Sequence, residues 1–184
     1  MKTLFGDPGK RQTLIRILAL ILVVGLTVIM FLIRDQVKAL GSYGYLGIFL
    51  ISIVANSTVI VPLPGVFITS AMGAVFNPFW VAIAAGAGAA LGELSGYLAG
   101  FGGQAVIKDT ERYQRLTQWM RKYGDWTILV LAFIPNPAFD LAGITAGALR
   151  LPIYRFLFWC CLGKILKMLL FAYFGSGLFG WLGM

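Results

Sequence analysis

Glu93, Asp140, Lys164 and Lys167 lie inside runs of Ala, Gly, Leu, Phe and Val. At membrane depth an ionisable side chain is costly unless it faces a bundle interior or a wet cavity. Two acids and two bases in such places have two readings: an ion pair that locks long helices together, or a polar path that admits a charged head group. Lys164 and Lys167 suit phosphate. Asp140 and Glu93 are the candidate proton carriers, because the chain has no histidine. Tyr97 lies one helical turn past Glu93 and is placed to hydrogen-bond its carboxylate. No nucleophile–base set and no metal motif is present, so no catalytic residue, metal or cofactor is expected and an enzyme is disfavoured. Cys160 and Cys161 are adjacent and read as reduced packing residues.

Such side chains need elements to hold them, and two proline breaks supply the plan. Pro62-Leu63-Pro64-Gly65 interrupts the apolar run 43–76, and Pro135-Asn136-Pro137 interrupts 126–149. Non-helical backbone at membrane depth is tolerated only where protein or a wet cavity surrounds it. The residue before a proline avoids the α region, so Ile134 and Asn136 end one helix. Asn136 is then a suitable N-cap and Pro137 a suitable first-turn residue for a helix 137–149. Its free N–H groups would favour an anion, and Asp140 sits one turn in.

The composition demands a bilayer. Hydrophobic residues are 59% and charged residues 12%, against roughly 25% charged in soluble domains. The runs 14–33, 79–101 and 156–182 have spanning length, about 20 residues or more. The first is too long for a cleaved signal and is expected to stay as an anchor. The net charge of +8 is assigned to cytoplasmic loops beside anionic lipid rather than to nucleic acid. Lys2, Lys10, Arg11 and Arg16, the polar 102–125 segment, and Arg150 with Arg155 then share the cytoplasmic side. In the 102–125 segment Tyr113, Leu116, Met120 and Tyr123 recur at helical spacing with Trp119 beside them, which predicts an amphipathic interfacial helix. Gly88, Gly92, Gly96 and Gly100 form a ridge for close helix packing.

The two breaks share ordered markers: Tyr43-Gly44, the Pro-X-Pro, Gly73 and Pro78 in one; Tyr123-Gly124, the Pro-X-Pro, Gly147 and Pro152 in the other. The first limb of the first unit is longer by about two turns. One span separates the units, so the second is inverted relative to the first and the hairpin tips approach the midplane from opposite faces. Aligned on Gly73 and Gly147, Glu93 falls opposite Lys167.

The stretches "VPLPGVFITSAMGAVF", "GELSGYLAGFGG", "FIPNPAFDLAGITAGALRLPIYRF" and "LGKILKMLLFAYFGSG" resemble the DedA/SNARE-associated Golgi family, also called VTT-domain proteins. The resemblance covers most of residues 43–178. It implies two facing re-entrant hairpins and lipid handling: scrambling of phospholipid, or movement of polyprenyl-phosphate carriers. The chain departs from one bacterial branch. Asn56-Ser57-Thr58 and Gly65-Val66-Phe67 stand where that branch has acids, and Ala132 and Ala138 where it has arginines.

The expected architecture is an all-α polytopic membrane protein with two inverted re-entrant hairpins. It divides into an N-terminal tail and anchor (1–42), repeat 1 (43–101), an interfacial helix (102–125) and repeat 2 (126–184). The expected function is lipid movement along Glu93, Asp140, Lys164, Lys167, Asn136 and Tyr97. The partners are membrane lipids, with protons or sodium as possible coupling ions and a homo-oligomer as a further option. A coupled small-solute carrier and a non-transporting scaffold are the alternatives. The expected location is a prokaryotic inner membrane, N-terminus cytoplasmic.

Overall fold

The computed structural model describes residues 43–57, 65–102, 111–135 and 139–181. The predicted first span, Pro62, Pro64, Asn136 and Pro137 lie outside them. The described residues form eight helices and no strand: α1 (Tyr43–Ser57), α2 (Gly65–Val75), α3 (Pro78–Gly92), α4 (Leu94–Phe101), α5 (Glu111–Tyr123), α6 (Asp125–Phe133), α7 (Phe139–Ala148) and α8 (Ile153–Trp181). Where the breaks are described, local chemistry sets the boundaries. Asn77 caps α3 by accepting a hydrogen bond from the Phe79 N–H at 3.0 Å, with Pro78 in the first turn. Ile134, ahead of Pro135, is extended and closes α6, as a residue before proline must.

Two helical stretches are long and apolar enough to cross a membrane: Pro78–Phe101, which runs through α3 and α4, and Ile153–Leu178 in α8. Helices α2, α6 and α7 have 11, 9 and 10 residues. At about 1.5 Å per residue they reach roughly half of a 30 Å hydrocarbon core. The outer surface is apolar. Phe158, Leu162, Leu166, Leu170, Phe174 and Leu178 are all exposed along α8, one every four residues in a ridge that winds slowly around the helix. Leu46, Leu50 and Val54 do the same on α1, as do Trp126, Val130 and Ile134 on α6. Water tolerates no such stripes, whereas lipid does.

The inner face of α8 carries a second four-residue stripe: Phe156, Cys160, Lys164, Met168 and Ala172, all buried. Phe156 and Cys160 belong to one apolar cluster, with Tyr97, Met120, Ile128, Phe139 and Ala146. Met168 and Ala172 belong to another, with Ile48, Val81, Ala82, Ala85 and Ala89. Lys164 sits between the two. The order of contacts fixes direction. Tyr97 stacks on Phe156 at 5.1 Å, while Val81 lies with Ala172, so the Pro78–Phe101 stretch and α8 run opposite ways.

Glycine brings the helices close enough for this, and the ridge divides its work. The Cα of Gly88 rests on the Phe49 carbonyl and that of Gly92 on the Ile53 carbonyl, both of α1, whereas Gly100 rests on the Ile144 carbonyl of α7. Gly96 is buried between them. A Cβ at any of the first three would collide with backbone. Elsewhere Gly73 and Gly175 of α2 and α8 meet Ala172 and Ser70, Gly147 of α7 meets Tyr97, and Gly163 of α8 meets Leu129 and Ala132 of α6.

Candidate functional site

Glu93 occupies the junction of α3 and α4, about 12 Å along the helix from Phe101, and Lys164 is about 17 Å along α8 from Ile153. Both therefore lie at hydrocarbon depth if these stretches cross a bilayer. Their side chains are about 5% and 4% exposed, and the Lys164 ammonium donates to the Glu93 carboxylate at 2.5 Å. The same ammonium donates to the Asn56 side-chain oxygen at 2.9 Å and stands 4.7 Å above the Phe139 ring. A lysine has three N–H donors and no acceptor. Here a carboxylate, an amide and an aromatic face surround it.

Four elements deliver these groups. Asn56 is in the last turn of α1, and its own N–H₂ is tied to the Ser52 carbonyl at 2.9 Å. That bond turns its oxygen toward Lys164. Phe139 opens α7. Gly143, one turn on, passes close to the Glu93 carboxylate. Ser95 donates to the Ser57 carbonyl at 3.0 Å, fixing the end of α1 against the Glu93 junction. Helices α1, α7 and α8 and the α3–α4 junction therefore meet at one ion pair.

Of the residues singled out from sequence, Glu93 and Lys164 are brought together. Lys167, one turn along α8, is also buried. The alignment that set Glu93 opposite Lys167 is one of register; the salt bridge to Glu93 described here comes from Lys164. Asp140 is in the first turn of α7, and its side chain lies outside the described residues, as do Asn136, Pro137, Pro62 and Pro64. Gly65 opens α2 and Pro135 follows α6.

Tyr97 requires correction. Its hydroxyl does not bond the Glu93 carboxylate; it donates to the Leu151 carbonyl at 2.5 Å. The ring stacks on Phe156, which aims the hydroxyl at the α7–α8 turn. That turn holds Arg150 at φ 52°, a conformation that favours glycine. It is closed by N–H bonds from Arg150 to Gly147 and from Leu151 to Ala146, and Arg150 lies 5.9 Å from the Phe101 ring. Tyr97 is thus a latch on that turn.

Sequence reasoning passed over Asn56 and Phe139. An amide within an otherwise apolar run was a signal for Asn56. Nothing in the local sequence marks Phe139 as the ring that would face a lysine 25 positions on.

A family model for the VTT domain matches residues 63–177. Among curated relatives, vacuole membrane protein KMS2 of Arabidopsis thaliana is 33% identical over 102 residues, 45% of this chain and 24% of that protein. Vacuole membrane protein 1 of Bos taurus is 33% identical over 107 residues, 45% and 26% of the two chains. The Dictyostelium discoideum homolog of vacuole membrane protein 1 is 30% identical over 111 residues, 46% and 28%. The matched stretch spans only about a quarter of these relatives. No solved structure matches the chain.

Proposed function

The chain is a membrane protein of the VTT-domain family, and from that premise we propose that it moves phosphate-bearing lipid, phospholipid or polyprenyl phosphate, across the bilayer between two inverted re-entrant hairpins. The observation that carries this reading is the Lys164 ammonium, buried at depth where the limbs of both halves converge. A compact ammonium is a phosphate binder. In the described conformation Glu93 and Asn56 occupy it, so a head group enters by exchanging a phosphate oxygen for the Glu93 carboxylate. Lys167, Asp140 and Asn136 belong to the same path.

The hairpin reading is supported by helix length and direction. In each half the first limb runs alongside its own long helix: Phe49 and Ile53 of α1 meet Gly88 and Gly92 in the same order, and α6 follows α8 from Asp125–Arg155 to Leu129–Gly163. Each second limb accompanies the long helix of the other half: Thr69 meets Met168 and Gly73 meets Ala172, while Gly143 meets Glu93 and Gly147 meets Phe101. Because the long helices are antiparallel, this order supports hairpins that enter from opposite ends, the broken-helix plan of transporters.

The test is lipid translocation in liposomes carrying a fluorescent phospholipid, with a membrane-impermeant reductant added outside. Wild-type protein is expected to expose inner-leaflet lipid. Glu93→Gln, Lys164→Met and Asp140→Asn are expected to slow it by about tenfold or more, the scale of a hydrogen bond to a charged group. A wild-type protein that moves no lipid overturns the reading. Gradient-driven flux of small solutes without lipid movement would assign the site to a coupled carrier, and a folded protein with neither activity to a scaffold.

A further inference from the structure

Helix α5 meets α6 through Gly124, at φ 56°. The corner is fixed by hydrogen bonds from the Gly124 N–H to the Met120 carbonyl at 2.9 Å and from the Thr127 hydroxyl to the Trp119 carbonyl at 3.1 Å. Leu116 and Met120 turn inward and are buried. Beside them Trp119 and Tyr123, with Trp126 across the corner, stay exposed at 49%, 55% and 62%. Together with Thr127, Val130 and Leu131 they line an open groove of about 300 Å³.

The groove is apolar within, and helix spacing sets two basic residues beside it. Arg115, Trp119 and Lys122 recur at i, i+4 and i+7 and share a helix face. The Lys122 ammonium stands 5.1 Å over the Tyr123 ring. The neighbouring carboxylate, Asp125, is held by Arg155 at 2.7 Å. The apolar wall continues onto the exposed stripe of α6 and, through the Trp126–Trp159 contact at 5.2 Å, onto α8. This is the surface assigned above to hydrocarbon.

We propose that the α5–α6 groove binds an anionic phospholipid of the adjoining leaflet, one acyl chain lying along Trp119, Trp126 and Val130 and the phosphate meeting Lys122 and Arg115. Three observations select this occupant. The volume is at the low end of small-ligand sites, roughly 300–1,000 Å³, so it takes a single chain rather than a helix. Two basic residues stand beside the groove. The wall is continuous with the lipid-facing surface, so the chain enters sideways from the bilayer. The site is a standing lipid contact, distinct from the buried path, and is read by binding in a protein whether or not it moves lipid.

The experiment uses the whole protein in phosphatidylcholine vesicles containing a small, equal fraction of brominated phosphatidylglycerol or brominated phosphatidylcholine. Tryptophan quenching is compared between wild type and Trp119→Phe/Trp126→Phe, which isolates the groove signal. The acidic lipid is expected to occupy the groove about fivefold more readily for each basic side chain engaged. Arg115→Gln/Lys122→Gln is expected to abolish that preference while quenching of the other tryptophans stays unchanged. Equal quenching by the two lipids in wild type overturns the proposal, as does a preference that survives the double substitution. Loss of the preference on adding millimolar inorganic phosphate at constant ionic strength also overturns it, because the site would then recognise the anion without the chain.

Discussion

Where α2 meets α8, Thr69 faces Met168 and its hydroxyl reaches the sulfur at 3.4 Å. Where α7 meets the Pro78–Phe101 stretch, Gly143 faces Glu93. On the repeat proposed above these are corresponding places: Gly88 and Gly163, 75 positions apart, meet α1 and α6, and Gly73 and Gly147, 74 positions apart, meet α8 and the Pro78–Phe101 stretch. On that register Thr69 corresponds to Gly143, Met168 to Glu93, and Ala89 to Lys164. One of these two places is filled with a thioether and a methyl group; the other is filled with a carboxylate and an ammonium. Backbone packing is matched between the two places, while polarity is concentrated in one. Glycine contacts depend on shape and tolerate no side chain, so both halves keep them. The charged pair requires room, which Gly143 leaves beside Glu93, and partners, which Asn56 and Phe139 supply.

The largest test of this asymmetry removes the ammonium. Lys164→Met takes the salt bridge from a buried carboxylate and is expected to cost about 3–5 kcal/mol, read as the unfolding midpoint in detergent. Glu93→Met/Lys164→Met makes the charged place resemble the apolar one and is expected to recover most of that stability. If the double variant is no better than the single one, the charged place is not interchangeable with an apolar one. Next come the glycines. Gly100→Ala and Gly175→Ala each drive a methyl into a carbonyl of the facing limb, and each is expected to cost about 1–3 kcal/mol. Similar losses sharpen the match between the halves, whereas a loss confined to one breaks it. Thr69→Val is the smallest: in the apolar half it removes a hydroxyl–thioether contact and is expected to change stability by about 1 kcal/mol or less.

Much of this was legible in the sequence because proline, glycine and charge are conspicuous in apolar runs. Pro135 ends α6 through Ile134, Asn77 and Pro78 start α3, and the buried charges Glu93 and Lys164 were picked out from hydropathy alone. The ridge at Gly88, Gly92 and Gly100 was readable as close packing; that it serves α1 at one end and α7 at the other was not, because a glycine does not say which carbonyl it will meet. That Lys164 reaches Glu93 follows from which face of α8 carries Phe156, Cys160, Met168 and Ala172 inward. The turn sought by the Tyr97 hydroxyl depends on Phe156 stacking against its ring. Such contacts join residues dozens of positions apart, and local spacing carries no information about them.

The Glu93–Lys164 bridge also has an electrical consequence. Moving one elementary charge through a membrane potential does work of about 2.3 kcal/mol per 100 mV. A carboxylate and an ammonium 2.5 Å apart carry no net charge, so shifting them together along the membrane normal draws almost nothing from the voltage. While the bridge holds, movement of this pair along the normal is electrically silent, and it becomes voltage-sensitive once the two side chains part.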